Sequence, residues 1–349
     1  MKKLSILLVL MTALASSLFG LEVKEGRLKL VIDERSGRFA LHYLVDVAKN
    51  TYVPLLYAQE TRTTFTTLLV DQKAYKLGDA SEFRVSVSRE AASTIRVEYR
   101  SSFCVVTQTL EFVKSPGASM SDGMVMTYAI ENVSQKDASF GLRILLDSWL
   151  GEKAQAHFSS EILGEMSVET ALTGDYTDIW VRSPAMTVSG ASTDVSGLQV
   201  LLSSPATRPD KVVAANWKRL NDAQWSFDVS PARNFTLLPY SINDSALALY
   251  YEPIAVRPGS SRSVVALIGQ ANEGYTRNTI TGAPSSEDIG NVTIPSETDP
   301  LDEMTDLVAV RSVLEALNAA MEAGTVLSQE QLLQFESTLL RLESRKGKY

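Results

Sequence analysis

The chain has 349 residues, 33 Lys and Arg against 41 Asp and Glu, a formal charge of -8 and one cysteine. An acidic chain without a basic stripe is a poor match for nucleic acid, whose phosphates need clustered cations. A lone Cys104 excludes an intrachain disulfide and a zinc site built on thiolates, so stability has to come from a large apolar core.

The chain opens MKKLSILLVLMTALASSLFG, with Lys2 and Lys3, an apolar run over 4–14 and small residues at Ala15, Ser16 and Ser17. That pattern reads as a secretory signal peptide over residues 1–20, with cleavage expected after Ser17 or Gly20. The expected location is periplasmic or secreted. The apolar run falls short of the about twenty residues that a membrane-spanning helix needs, and no transmembrane anchor is expected after signal removal. Losing Lys2 and Lys3 takes the formal charge from -8 to -10.

Residues 21–271 read as one mainly β domain, a large antiparallel two-sheet sandwich. RLKLVI alternates and meets the turn DERSGRF, where Gly37 can take a positive φ. TTFTTLLVD, EFRVSVSRE, STIRVEYRS and FCVVTQTLEFV follow, with strand signals about every ten residues. GMVMTYAIEN and SFGLRILLDSWL are joined by the polar segment VSQKDA and are expected to be two antiparallel strands meeting through a short loop. In the second, Leu142, Ile144 and Leu146 share one face and Arg143, Leu145 and Asp147 the other. Arg143 and Asp147 are read first as an ion pair on a solvated face, which would contribute little.

Between Leu150 and Thr207 the periodicity weakens, which suggests a long excursion over the surface or rim of the sandwich. AMTVSGA, GLQVLLSS, KVVAANW and AQWSFDV are expected strands, and ALALYYEPIAVRPGSSRSVVALIGQ is expected to be a final hairpin turning at RPGSS. Cys104, inside a strand run, is expected to be a small core residue.

Residues 272–300, rich in Gly, Pro, Ser, Thr and Asn, read as a flexible linker. Over 301–349 the period changes to about 3.6 and a C-terminal α-helical hairpin is expected. Leu307, Leu314 and Leu317 line one face of its first helix, while Leu332, Phe335 and Leu339 line one face of the second. These six are candidates for docking a protein partner or a second copy, because two helices alone bury too little.

Chemistry is sparse. The two histidines, His42 in FALHYLV and His157 in QAHFSSE, form no metal-binding spacing, and the chain has no G-x-S-x-G elbow or phosphate loop. No catalytic residue, metal or cofactor is assigned. Asp147, Glu152, Glu161, Glu165, Asp175 and Asp178 fall in one stretch with Trp149, Tyr176 and Trp180, a mixture suited to a sugar, whose apolar face stacks on a ring while its hydroxyls meet carboxylates. The candidate binding set is Arg143, Asp147, Trp149, His157 and Trp180.

DGMVMTYAIENVSQKDASFGLRILLDSWLGE and the downstream YYEPIAVRPGSSRSVVALIG resemble the two-sheet supersandwiches of the galactose-mutarotase-like type and related exported bacterial proteins. The resemblance spans roughly residues 25–270. It implies the fold and, for the enzymes of that group, a pair of histidines and a carboxylate that open a sugar ring by acid–base chemistry. A second such imidazole is not evident here. The leading expectation is an exported, non-enzymatic binding or assembly protein, a β-sandwich scaffold with a helical docking arm, acting within a periplasmic or cell-envelope complex. The alternative is a carbohydrate-binding or mutarotase-like carbohydrate-active protein.

Overall fold

The computed structural model describes residues 20–57, 59–115, 118–154, 156–186 and 196–271. The expected signal peptide, except for Gly20, the linker over 272–300 and the helical hairpin over 301–349, with all six candidate docking residues, lie outside the described residues.

In chain order, β1 (Leu21–Glu25), β2 (Leu28–Ile32), β3 (Phe39–Asp46) and β4 (Thr51–Pro54) form a four-stranded sheet. There follow β5 (Phe65–Val70), β6 (Lys73–Lys76), β7 (Arg84–Ala91), β8 (Thr94–Arg100), β9 (Cys104–Val113), β10 (Gly123–Asn132) and β11 (Ala138–Asp147). Next come β12 (Phe158–Ser160), β13 (Gly164–Met166), β14 (Thr170–Thr173), β15 (Trp180–Met186), β16 (Ser196–Leu201) and β17 (Lys211–Asn216). A six-residue helix, α1 (Trp217–Asp222), precedes β18 (Ser245–Val256) and β19 (Ser261–Gln270). A nine-stranded sheet runs in the order β13-β12-β15-β16-β19-β10-β9-β8-β7, and a six-stranded sheet in the order β14-β17-β18-β11-β5-β6. The domain is mainly β and antiparallel, as expected, with three sheets where two were expected.

The expected alternation sets the core. Tyr128 and Ile130 of β10, Val264 and Ile268 of β19, Phe140, Ile144 and Leu146 of β11, and Leu249 and Tyr251 of β18 are all buried in one cluster between the two large sheets. The four-stranded sheet adds Leu28, Leu30, Ile32, Leu41 and Tyr43 to it. The β2–β3 turn uses Gly37 at φ 71°; a Cβ there would stand 2.4 Å from both Tyr99 and Val97, so only glycine fits. Cys104 is fully buried in the same core.

Two expected hairpins are corrected. β10 pairs with β9 and β19, whereas β11 pairs with β5 and β18. The VSQKDA segment therefore crosses from one sheet to the other instead of closing a hairpin. RPGSS does the same, since β18 belongs to the six-stranded sheet and β19 to the nine-stranded one. The two arches are tied together by Asn132: its backbone N–H donates to Ser260 O (3.0 Å), its carbonyl accepts from Gly259 N (2.8 Å), and its Nδ2 donates to Lys136 O (2.9 Å) and Val256 O (2.7 Å). A half-buried strand carries the same alternation whether it turns back within its own sheet or crosses over, so the local pattern does not distinguish the two.

The segment from Leu150 to Thr207 is also corrected. Besides β16, which matches the expected strand GLQVLLSS, it holds β12, β13 and β15, which extend the nine-stranded sheet, and β14, which edges the six-stranded one. The three- and four-residue strands β12, β13 and β14 leave little periodic signal, and beyond Ala185 and Met186 of β15 the expected strand AMTVSGA lies outside the described residues. AQWSFDV is not a strand. Trp225, Phe227 and Val229 from it lie over the outer face of the six-stranded sheet in a second apolar cluster with Phe65, Leu145, Leu220 and Tyr250. Gly141 of β11 leaves room for this cover, because a Cβ there would meet Trp225 at 3.0 Å.

Candidate functional site

β11 delivers two of the candidates to the outer face of the six-stranded sheet. Arg143 and Asp147 alternate away from the inward Leu142, Ile144 and Leu146, as expected, but neither is solvated and they form no ion pair. Arg143 is 2% exposed and Asp147 3% exposed. The helix α1 and the chain that follows it cover this face, and that covering comes from residues some eighty positions downstream. Arg143 Nη1 donates to Ala223 O (2.9 Å) and Trp225 O (3.4 Å), and Nη2 to Thr67 Oγ1 (3.1 Å).

Asp147 ends β11. Its backbone N–H donates to Thr64 Oγ1 (3.1 Å), its carbonyl accepts from Tyr57 N (2.9 Å), and its Oδ1 has no partner. Burial pushes its carboxyl up to about 8, a hydrogen bond from Thr63 opposes that rise, and the charges of Asp244 and Glu152 add to it. Asp244 is itself held above its ordinary value by burial, against a hydrogen bond from Ser241. At neutral pH Asp147 is therefore held as a buried neutral acid near two other carboxyl groups.

Trp149, two residues on, packs against Tyr57 with ring centroids 5.4 Å apart at 47°. The Tyr57 hydroxyl is raised by burial, with Glu152 and Asp147 adding to it. Asn216 anchors the neighbouring loop: its Nδ2 donates to Phe235 O (2.8 Å), Ser241 Oγ (2.9 Å) and Asp244 O (3.0 Å), and its Oδ1 caps α1 by accepting from Arg219 N (3.2 Å). Trp217 ties the same segments together, with Nε1 donating to Thr63 O (2.9 Å) and its N–H to Asp244 O (3.0 Å).

His157 is 4% exposed, with its ring 4.4 Å from that of Phe235 and Nδ1 unpartnered. Burial pushes it down to about 4, so it stays neutral. It is linked to the end of β11 through Ser183, whose Oγ donates to His157 O (3.2 Å) and accepts from Ser148 Oγ (2.8 Å). His42 lies in β3 of the four-stranded sheet and is pushed down to about 4 by burial and by Lys29. With one histidine in that sheet and the other before β12 of the nine-stranded sheet, the imidazole pair implied by the resemblance does not form.

Trp180 does not join the others. It stands on β15 opposite in sense to the buried Val181, with the Arg182 guanidinium 4.0 Å from its ring centre, on the outside of the nine-stranded sheet. The acidic stretch also disperses: Glu161 and Glu165 are exposed at the β12–β13 turn, and Asp178 is buried accepting from Ile162 N (2.7 Å). Asp147, Trp149 and Glu152 remain together. Tyr57, Thr63 and Asp244 complete the site and were missed, because they sit in aperiodic segments whose only signal is composition.

No protein-family model matches the chain, and no curated protein matches it. Among solved structures the chain is similar to a putative aldose 1-epimerase from Escherichia coli K12, at 12% identity and a TM-score of 0.45, over 72% of this chain and 98% of that one. It is also similar to a galactose mutarotase-like protein from Lactobacillus casei, at 9% identity and a TM-score of 0.43, over 72% and 99%. A galactose mutarotase-like protein from Clostridium acetobutylicum matches at 10% identity and a TM-score of 0.34, over 73% and 99%. These are likenesses in the course of the chain, at the level of fold alone.

Proposed function

We propose that the chain binds carbohydrate at the end of β11, around Asp147, Tyr57 and Trp149. The observation that carries this reading is the half-buried, tilted Tyr57–Trp149 ring pair at the end of β11, next to the buried Asp147 carboxyl whose main chain accepts from Tyr57. A sugar ring offers C–H groups that lie on an aromatic face and hydroxyls that meet the Tyr57 hydroxyl and the half-buried carboxyls of Glu152 and Asp244. Binding in place of ring opening follows from the separation of the two histidines, which leaves Asp147 without an imidazole partner for proton transfer.

The test is calorimetric titration with neutral mono- and oligosaccharides, together with a glycan array. Binding lost on Trp149→Ala, with the circular dichroism spectrum retained, supports the reading. A chain that binds no sugar under any of these conditions sinks it.

A further inference from the structure

The outer face of the six-stranded sheet carries a second concavity, between β6, the middle of β11 and the end of α1. It is an open cleft of about 430 Å3, walled by Thr67, Lys73, Lys76, Arg143, Asn221 and Asp222. Two of its cations form no salt bridge among the described residues, although the carboxylates of Asp79 and Asp222 act on Lys76 from further off. Arg143, 2% exposed, uses Nη1 on two backbone carbonyls and Nη2 on Thr67, while its Nε, closed to solvent, donates to nothing. Lys76 Nζ donates to the neutral Asn221 Oδ1 at 2.7 Å and lies 3.7 Å from the centre of the Phe65 ring. The other charges around them are matched: Lys73 with Glu82, Asp222 with Lys218, and Arg38 with Asp79. Cations drawn out of water are normally paired, because the low-dielectric surroundings penalise a lone charge.

We propose that this cleft is an anion-binding site, in which Arg143 and Lys76 together take a phosphate or carboxylate group of a small molecule. The planar guanidinium offers directed N–H donors to such a group and the ammonium a mobile point charge. Thr67 and Asn221 add neutral polar contacts, and the volume admits a small organic anion. Lys76 is pushed down to about 8 by burial, with Arg38 and Arg143 adding to that and the carboxylates of Asp79 and Asp222 opposing it; a bound anion relieves the net crowding. The site stands apart from the carbohydrate reading, since it lies four residues along β11 from Asp147 and can fail or hold without it.

The experiment is calorimetric titration of the full chain with inorganic phosphate and, separately, with acetate, at constant ionic strength and neutral pH, with chloride as the reference anion. Saturable binding of either probe beyond chloride is expected, and the preferred probe identifies the group. Lys76→Met keeps an apolar stem over Phe65 and is expected to weaken binding about tenfold or more, as loss of a buried charge contact does. Its melting temperature without added anion reports whether the fold is intact. Arg143→Lys, which keeps the charge but not the fork, is expected to weaken binding less than Lys76→Met and Arg143→Met combined. Neither probe binding beyond chloride, or a folded Lys76→Met that binds as tightly as the wild type, overturns the proposal.

Discussion

Arg143 and Asp147 project from the same face of one strand, four residues apart, and serve two separate environments. Arg143 is tied to the carbonyls of Ala223 and Trp225, while Asp147 keeps Oδ1 without a partner at the strand's end. At a rise of about 3.3 Å per residue their Cα atoms are about 13 Å apart, and Leu145 between them packs into the apolar cluster over the sheet. One strand thus presents a fixed cation in its middle and a neutral acid at its end.

The first prediction concerns Asp147. Its folded-state value of about 8 lies well above the ordinary 3.8. Between those values the unfolded chain has released a proton that the folded chain keeps, so this group's contribution is full below about pH 4 and is lost as pH rises toward about 8. Asp147→Asn removes the dependence. Relative to wild type, the variant is expected to gain stability through that window by up to about 1.4 kcal/mol per pH unit. Urea unfolding of both proteins at a series of pH values measures it, and a pH-independent difference would reject the assignment.

His157 acts in the opposite sense. Its folded value of about 4 lies below the ordinary 6.5, so on acidification the unfolded chain takes up a proton that the folded chain refuses. Stability from this group is present above about pH 6.5 and is lost as pH falls toward 4. His157→Phe, which keeps a flat ring against Phe235, is expected to flatten the acid limb of the stability profile. Proton NMR of the wild type should show the His157 ring titrating near pH 4; an ordinary midpoint would place the ring in solvent.

Cys104 is expected to be silent in the folded protein. Burial pushes its thiol up to about 11, against the hydrogen bond from Ser101, and the thiolate is the reactive form. A chromogenic disulfide reagent should modify it at the rate of unfolding, accelerating with urea. Stoichiometric modification within the mixing time under native conditions would show the strand packing to be wrong.

Much of the framework was legible residue by residue. The alternation in RLKLVI, in STIRVEYRS and in LRILLD marks strands and the face each residue takes, and the structure keeps those faces. Gly37 was legible as the residue that closes the β2–β3 turn. The site was legible only in part: Asp147 and Trp149 belong to it, His157 reaches it through Ser183, and Trp180 stands on the other sheet. Tyr57 and Asp244 carry no periodic signal, so nothing local marked them.

The sequence by itself determined where strands form and which side chains share a face, because period-two alternation is a property of neighbouring residues. Tertiary structure alone decided that VSQKDA and RPGSS cross between sheets, and that Arg143 and Asp147 are buried. Both outcomes depend on partners far along the chain: β18 and β19 choose the sheets, and the segment after α1 covers the outer face. Burial, in turn, converts an ordinary surface carboxyl into one that holds its proton at neutral pH, since the penalty on charge arises from surroundings that no local pattern encodes.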